Sequence, residues 1–296
     1  MSTTAAGAAP RTDAGLAGLS VVIPAHDEER QLRRCLPVLL DGLGPAEVVV
    51  VANGCSDSTA EVARSFPGVR VVELAEASKV AALNAGDAAV GAFPRIYLDA
   101  DIRMSGRTAR ELAASLRDGS AAVASPRVRF DVSASSRPVR AFYRVYEELP
   151  YVREGLVGLG VYGVSAQGRA RFGAFPDVTN DDLFVQRSFA PDERRRSRGE
   201  FTVSAPHDVR NLLRVRRRTA AGNAELSRRA HPPGGAPARG EGWGRSTGTT
   251  TTALFALARR RPRLLPAVAT YAAVTAASRV LARLDAGGWQ RDTSTR

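Results

Sequence analysis

Cysteine is nearly absent from this 296-residue chain, which has only Cys35 and Cys55. Two thiols make no disulfide framework. That excludes a small cross-linked secreted scaffold and fits a reducing compartment. Lysine is scarcer still: of 42 basic residues a single one, Lys79, is lysine and the rest are arginine. A chain that uses arginine by default and keeps one lysine inside a helical pattern marks that lysine for a specific task. Residues 1–18 lack the basic start and apolar core of a signal peptide and read as a disordered leader. Long apolar runs are missing as well. The nearest, Leu264–Leu281, is rich in Ala and Thr and is interrupted by Pro266 and Arg279. A spanning helix needs about twenty predominantly apolar residues. A packed or interfacial helix is therefore expected, in a cytoplasmic protein that touches the inner face of the membrane peripherally at most.

Acidic charge is in deficit too. The net charge is +12, and residues 191–263 hold seventeen Arg against six acids. Such a segment seeks anions: substrate phosphates, nucleic acid or lipid head groups. The 44% hydrophobic content supports a real core, in one large domain or two small ones.

The first half alternates short apolar runs with helical patterns. Leu19–Ile23, Glu47–Ala52, Val69–Leu74, Ile96–Leu98 and Ala121–Ser125 read as strands. Glu28–Leu43, Asp57–Phe66, Lys79–Val90 and Arg107–Arg117 read as helices. Continuous apolar strands alternating with helices predict an α/β fold, a mostly parallel sheet covered on both faces. Ligands of such sheets bind beyond the carboxyl ends of the strands. Pro24–Glu28, Asn53–Ser58 and Asp99–Asp101 all fall there. Past residue 126 the alternation breaks. Val139–Leu149 looks helical, and Gly155–Gly163 reads as a close-packed turn or strand. Thr179–Arg187 carries a dense acidic group before a short helix. Residues 226–252 read as a linker, and 253–296 as a helical tail led by Leu254–Leu284.

Asp99-Ala100-Asp101 ends the run Arg95–Leu98. Side chains two apart on an extended segment point the same way. Two carboxylates aimed at one spot suit Mg²⁺ or Mn²⁺, which usually brings a diphosphate with it.

Four further segments accompany this pair. They are Val21-Val22-Ile23-Pro24-Ala25-His26-Asp27-Glu28-Glu29, Asn53-Gly54-Cys55-Ser56-Asp57-Ser58-Thr59, Lys79-Val80-Ala81-Ala82-Leu83-Asn84-Ala85-Gly86 and Asn180-Asp181-Asp182-Leu183-Phe184-Val185-Gln186-Arg187. In order and spacing, over residues 19 to about 190, the five resemble the motifs of the family 2 glycosyltransferases. The resemblance implies a GT-A fold across 19–225, a nucleotide-sugar donor, a hydroxyl acceptor (glycan, lipid or small molecule) and an inverting single displacement. It also implies residue roles. Pro24, Ala25 and Glu28 shape the nucleoside pocket, with Asp57 helping to close it, and Asn53 stands where the family's base-reading acid usually sits, its amide able to accept and to donate. Lys79 puts one positive charge near the nucleotide. Asp101 binds Mn²⁺ or Mg²⁺ directly, with Asp99 on the donor ribose or on the metal through water. Asp181 or Asp182 is the general base. Counting back from Arg187 favours Asp181, whereas the acid–acid–x–Phe pattern favours Asp182.

Two departures accompany the resemblance. The family often has two acids where this chain has Ala52-Asn53. Thr219 also stands where some members carry Trp in a basic segment that closes over the diphosphate. Arg217 and Arg218 remain phosphate candidates, since guanidinium forks suit phosphate oxygens. His207 is a candidate third metal ligand; His26 reads as loop packing and Cys55 as a space-filler. Tyr143, Tyr146 and Tyr151 read as core. A nucleotidyltransferase is the first alternative, disfavoured by the acidic, Gly-free Pro24–Glu29. An Arg-rich anion-binding protein on an inactive transferase fold is the second. Nucleic acid is not an expected partner.

Overall fold

The computed structural model describes residues 18–153, 159–228 and 247–284. Its elements run β1 (Ser20–Ala25), α1 (Glu29–Leu40), β2 (Glu47–Asn53), α2 (Thr59–Arg64), β3 (Val69–Leu74), α3 (Lys79–Ala89), β4 (Arg95–Leu98), β5 (Arg103–Met104), α4 (Gly106–Arg117) and β6 (Val123–Asp131). They continue with α5 (Arg137–Tyr146), α6 (Pro150–Arg153), β7 (Val161–Val164), α7 (Ala166–Arg169), α8 (Asp181–Arg187), β8 (Arg194–Ser204), α9 (Val209–Arg228), α10 (Thr247–Arg260) and α11 (Leu265–Leu284).

Eight strands form one sheet in the order β3-β2-β1-β4-β7-β6-β8-β5. β3, β2, β1 and β4 are mutually parallel, and β7 runs antiparallel to both β4 and β6. The chain crosses from β3, at one edge, to β4 on the far side of β1. That leaves a crevice beyond the carboxyl ends of β1 and β4, where strand order reverses.

The apolar runs follow from a sheet covered on both faces. Val21, Ile23, Val48, Val50, Ile96 and Leu98 face one buried cluster, shared with Leu32, Leu36 and Leu39 of α1 and with Leu112 and Leu116 of α4. Val22, Val49, Val51 and Tyr97 face the other, with Leu83 of α3 and Phe184 of α8. Strict alternation between two dry faces leaves no polar position inside the strand. A third cluster joins Val139, Phe142, Tyr143 and Tyr146 of α5 to Leu212 of α9 and Tyr271 of α11, so these tyrosines are core.

Two strands were not legible in the sequence. β8 is Arg194-Arg195-Arg196-Ser197-Arg198 and onward, charged enough to look like a solvated segment, yet it pairs with β6 along its length. Its basic side chains find partners at the rim: Arg195 meets Asp118 at 3.1 Å, and Arg196 donates to the Val152 carbonyl. β5 has only two residues. The predicted tail helix is two helices, broken at Arg261-Pro262 because proline cannot donate to the preceding turn. α9 and α10 extend into both ends of the expected linker. The middle of that linker, residues 1–17 of the expected leader, and His231 lie outside the described residues.

Candidate active site

Three loops meet beyond β1, β2 and β4. The first two are laced together. Asp27, held at φ +50°, accepts from the backbone N–H and the hydroxyl of Ser56 at 2.7 and 3.2 Å. Asn53 is buried, and its amide nitrogen donates to the Ala25 carbonyl at 2.7 Å. His26 Nδ1 lies 2.5 Å from the Asn53 carbonyl, which fits the loop-packing role expected of it. Asp57 accepts from the Thr59 N–H and hydroxyl and from the Glu29 N–H, so it brackets the starts of α1 and α2. The Glu28 N–H donates to Thr59 Oγ1 at 2.7 Å. Thus Asn53 and Asp57 brace the two loops from within, and Pro24 and Ala25 form the buried floor. Gly54 is required at the joint. It sits at φ +58°, and a Cβ there would lie 2.5 Å from the Ala77 nitrogen.

The same joint delivers Lys79. Ser78 caps α3 by accepting from the Ala81 N–H at 3.1 Å, which puts Lys79 on the first helical turn beside the crevice. The rest of that motif is packing. Leu83 is core, and Gly86 lies flat against Val22, leaving no room for a Cβ. Asn84 clamps the Phe175 backbone both ways, donating at 3.1 Å and accepting at 2.7 Å.

Lys79 Nζ lies 2.8 Å from Asp99 Oδ1 and 2.9 Å from Asp181 Oδ1. One ammonium therefore joins the acidic pair after β4 to the acidic group that starts α8, two segments far apart in sequence. Asp181 is 4% exposed, and its second oxygen accepts from the Tyr162 hydroxyl at 3.1 Å. Gly160, at φ +81°, accepts the Asp99 N–H at 2.8 Å; a Cβ there would lie 2.5 Å from Asp99 Oδ2. Tyr162 was not singled out in the sequence. Its only signal is a hydroxyl-bearing ring inside the apolar run Val161–Val164.

Asp182 is half-buried, and one of its oxygens accepts from the Leu183 N–H at 2.6 Å. Asp101 is exposed to water, yet the protein packed around it still weighs on its charge. Four carboxylates here face one lysine, and the electrostatics follow. Burial and then the Asp99 charge push Asp101 up to about 6. Burial and then Asp181 push Asp182 up to about 7. Asp99 is raised by burial, against the pull of Lys79. Burial would lower Lys79, but Asp181 and Asp99 outweigh it and hold the ammonium firmly charged.

α9 closes one side. Asn180 donates to the Thr219 carbonyl at 3.3 Å and to Asn223 Oδ1 at 2.9 Å, which ties α8 to α9. Arg218 acts on the charges of both Asp99 and Asp101 from this helix, and Arg217 neighbours it in sequence. His207 is not brought in. It is exposed before α9, its carbonyl accepts the Ser136 N–H, and it forms no close group with Asp99 and Asp101. Cys55 keeps its proton, because burial raises the thiol pKa.

The donor set fits a hard divalent cation. Asp99 and Asp101 supply only carboxylate oxygens, and both pKa values are raised, first by burial and then by a neighbouring carboxylate, a penalty that a cation would relieve. Mg²⁺ and Mn²⁺ are typically held by one or two carboxylates and completed by substrate phosphates.

The parallel sheet, its switch-point crevice and the late α8 acids define the GT-A fold. A mannosyltransferase from Pyrobaculum calidifontis, solved with GDP-Man and Mn²⁺, is similar to this chain with a TM-score of 0.60 at 21% identity, covering 91% of this chain and 88% of that one. A mycobacterial protein of known structure is similar with a TM-score of 0.52 at 20% identity, covering 74% and 76%. The model of the family described as "Glycosyl transferase family 2" matches residues 20–172, more than half of the chain. The chain belongs to that family. Among curated proteins, the 4,4'-diaponeurosporenoate glycosyltransferase of Staphylococcus aureus is 36% identical over 58 residues. That match spans 20% of this chain and 15% of the relative.

Proposed function

We propose that the protein transfers a sugar from a nucleotide-sugar to an acceptor hydroxyl by a single, inverting displacement that depends on Mn²⁺ or Mg²⁺. The observation that carries this reading is the Lys79 bridge between Asp99 and Asp181. With Lys79 Nζ 2.8 Å from Asp99 and 2.9 Å from Asp181, the acids after β4 and those at the start of α8 border one crevice, which supports a donor diphosphate and an acceptor hydroxyl meeting there.

The roles follow from accessibility. The loops around Pro24, Ala25 and Glu28 receive the nucleoside, with Asn53 and Asp57 holding their shape rather than reading the base. Asp99 and Asp101 hold the metal, which when bound supplies Lewis-acid stabilisation of the departing diphosphate. Arg218, with Arg217, adds guanidinium contacts to the same phosphates.

Asp182 is the general base. Both oxygens of Asp181 are engaged, by Lys79 and Tyr162, whereas Asp182 keeps an oxygen without a partner among the described residues. A base works best with a pKa near the operating pH, and Asp182 meets that condition. It takes the proton of the acceptor hydroxyl as that oxygen attacks the anomeric carbon from the face opposite the leaving diphosphate. Asp181 fixes Lys79 and, through it, Asp99.

A panel of nucleotide-sugars, incubated with and without Mn²⁺ and chelator, tests the reading. One donor should be consumed, with release of the nucleoside diphosphate only when metal is present. Undiminished turnover in excess chelator would falsify the metal assignment, and an anomer-retaining product would remove the single displacement.

A further inference from the structure

Residues 247–284 contain six arginines and no acidic residue. In the folded chain they form α10, a short turn over Pro262–Leu264, and α11. α11 has two unlike sides. Ala267, Tyr271, Val274 and Ser278, at helical spacing, are buried against the domain. Tyr271 stacks on Phe142 of α5 with ring centroids 4.9 Å apart. The opposite side presents Leu265, Ala269, Ala272, Ala276 and Val280 to the outside, beside the exposed Arg279. Leu265 is 52% exposed and Val280 53%, and on α10 Phe255 is 77% exposed. Of the five large apolar side chains exposed among the described residues, only Val38 lies outside these two helices.

A water-facing helix side normally carries mixed charge, and contiguous exposed apolar surface marks a contact. The charge beside it selects the contact. Arg259, Arg260, Arg261 and Arg263 are all exposed around the elbow between the helices, flanking Leu265. An apolar stripe rimmed by arginine, with Glu148 meeting Arg261 at 3.0 Å and the other three left in excess of acids, is complementary to an anionic lipid surface, which offers acyl chains below and phosphates above.

We propose that the exposed side of α10 and α11, centred on Phe255, Leu265 and Val280, docks the enzyme on an anionic bilayer surface. The 262–282 segment is long and apolar enough to cross a membrane, at a mean hydropathy of 1.4. Crossing would strip Tyr271 from Phe142 and expose the stripe that now packs on the domain. The helix therefore lies in the interface while its inner side stays on the protein. Docking also fixes the active site relative to the lipid. Arg216 of α9 sits over the Tyr146 ring at 5.2 Å and the Phe142 ring at 5.7 Å, in the cluster that receives Tyr271. Arg217 and Arg218 follow it directly.

The test is cosedimentation of the full chain with phosphatidylcholine vesicles, with or without phosphatidylglycerol, and it stands independently of the transfer reaction. Binding is expected only with phosphatidylglycerol, and release is expected in high salt without detergent. Phe255→Ser and the double change Arg259→Gln, Arg260→Gln should each weaken partition by roughly tenfold or more. Both should keep wild-type donor turnover in solution, since none of these residues touches the site. Equal binding to both vesicle types, or binding unchanged in both variants, overturns the proposal. So does extraction that needs detergent, which would mean a span. An absence of vesicle binding accompanied by a dimer that Phe255→Ser dissociates would assign the face to a second copy of the chain.

Discussion

Lys79 Nζ and Asp181 Oδ1 are 2.9 Å apart, and the same nitrogen is 2.8 Å from Asp99 Oδ1. The sole lysine of the chain is thus the positive centre of four carboxylates. Lys79→Met should leave Asp99 and Asp181 repelling each other and lower kcat/KM by roughly a hundredfold, the loss of about 2–3 kcal/mol of charged hydrogen bonding. Lys79→Arg should restore little, because a planar fork does not replace a point charge between two single oxygens. Steady-state kinetics on both variants decides it; near wild-type rates in Lys79→Met would remove the lysine from the machinery.

The two adjacent acids should separate by kinetic signature. Asp182→Asn should keep donor affinity and lose turnover by roughly 10²–10⁴-fold, as expected for a proton acceptor used only in the transition state. Asp181→Asn should weaken donor binding, because Lys79 loses its anchor. Calorimetric donor titration alongside kcat measurement resolves the pair, and the reverse pattern would make Asp181 the base.

The pH dependence has a definite sign. Asp182 is protonated below its raised pKa of about 7 and competent above it, so kcat should climb through that region and level off. The nearby Asp181 charge contributes to the shift, and removing it favours the ionised form. The acidic limb of Asp181→Asn should therefore lie at lower pH than that of the wild type. A limb that does not move in that variant would place the titrating group elsewhere.

Asp101→Asn should abolish the effect of Mn²⁺ on donor affinity. Donor binding measured with and without the ion should differ in the wild type and coincide in the variant. A metal enhancement that survives the change would show that Asp101 is not a ligand.

A stability prediction rests on Asp87, near the end of α3 opposite Lys79. Arg169 meets it at 2.7 Å, with Arg95 and Tyr97 also hydrogen-bonded to it. Burial alone would raise its pKa, but hydrogen bonds from Arg169, Tyr97 and Arg95 hold it low. Asp87→Asn leaves two largely buried guanidinium groups under-compensated and should cost about 3 kcal/mol. A depressed carboxyl pKa stabilises the fold above the unfolded value near 4, and that contribution is lost as pH falls through the folded value. Chemical denaturation of wild type and variant at neutral pH and near pH 3 should show the gap narrowing in acid. A constant gap would mean that the charge is not what stabilises.

The sheet was readable because both of its faces are dry. Val21-Val22-Ile23 and Val48–Val51 send alternate side chains into two cores, so the strands stand out as unbroken apolar runs. β8 was hidden for the opposite reason. Its arginines lie at a rim where Asp118 and the Val152 carbonyl receive them, and a strand partnered in this way carries no apolar signature. The acids of the site were legible as motifs, but the different surroundings of each were not. Asp181 and Asp182 are adjacent in sequence, and their burial and partners distinguish them: one is sealed between Lys79 and Tyr162, the other half-open. His207 shows the limit from the other side, a residue of suitable chemistry left exposed before α9.

By itself the sequence determined the alternation of strands and helices, the three polar clusters at the strand ends and the singular Lys79. These are local properties: apolar periodicity, turn chemistry and residue choice. Tertiary structure decided what meets across distance. It set Lys79 between Asp99 and Asp181, drew Tyr162 and Gly160 to the acids, turned Asn53 and Asp57 inward as braces, and folded α11 back onto Phe142 so that one side is core and the other bare. Those pairings depend on strand order and on helix docking, which no local run of residues encodes.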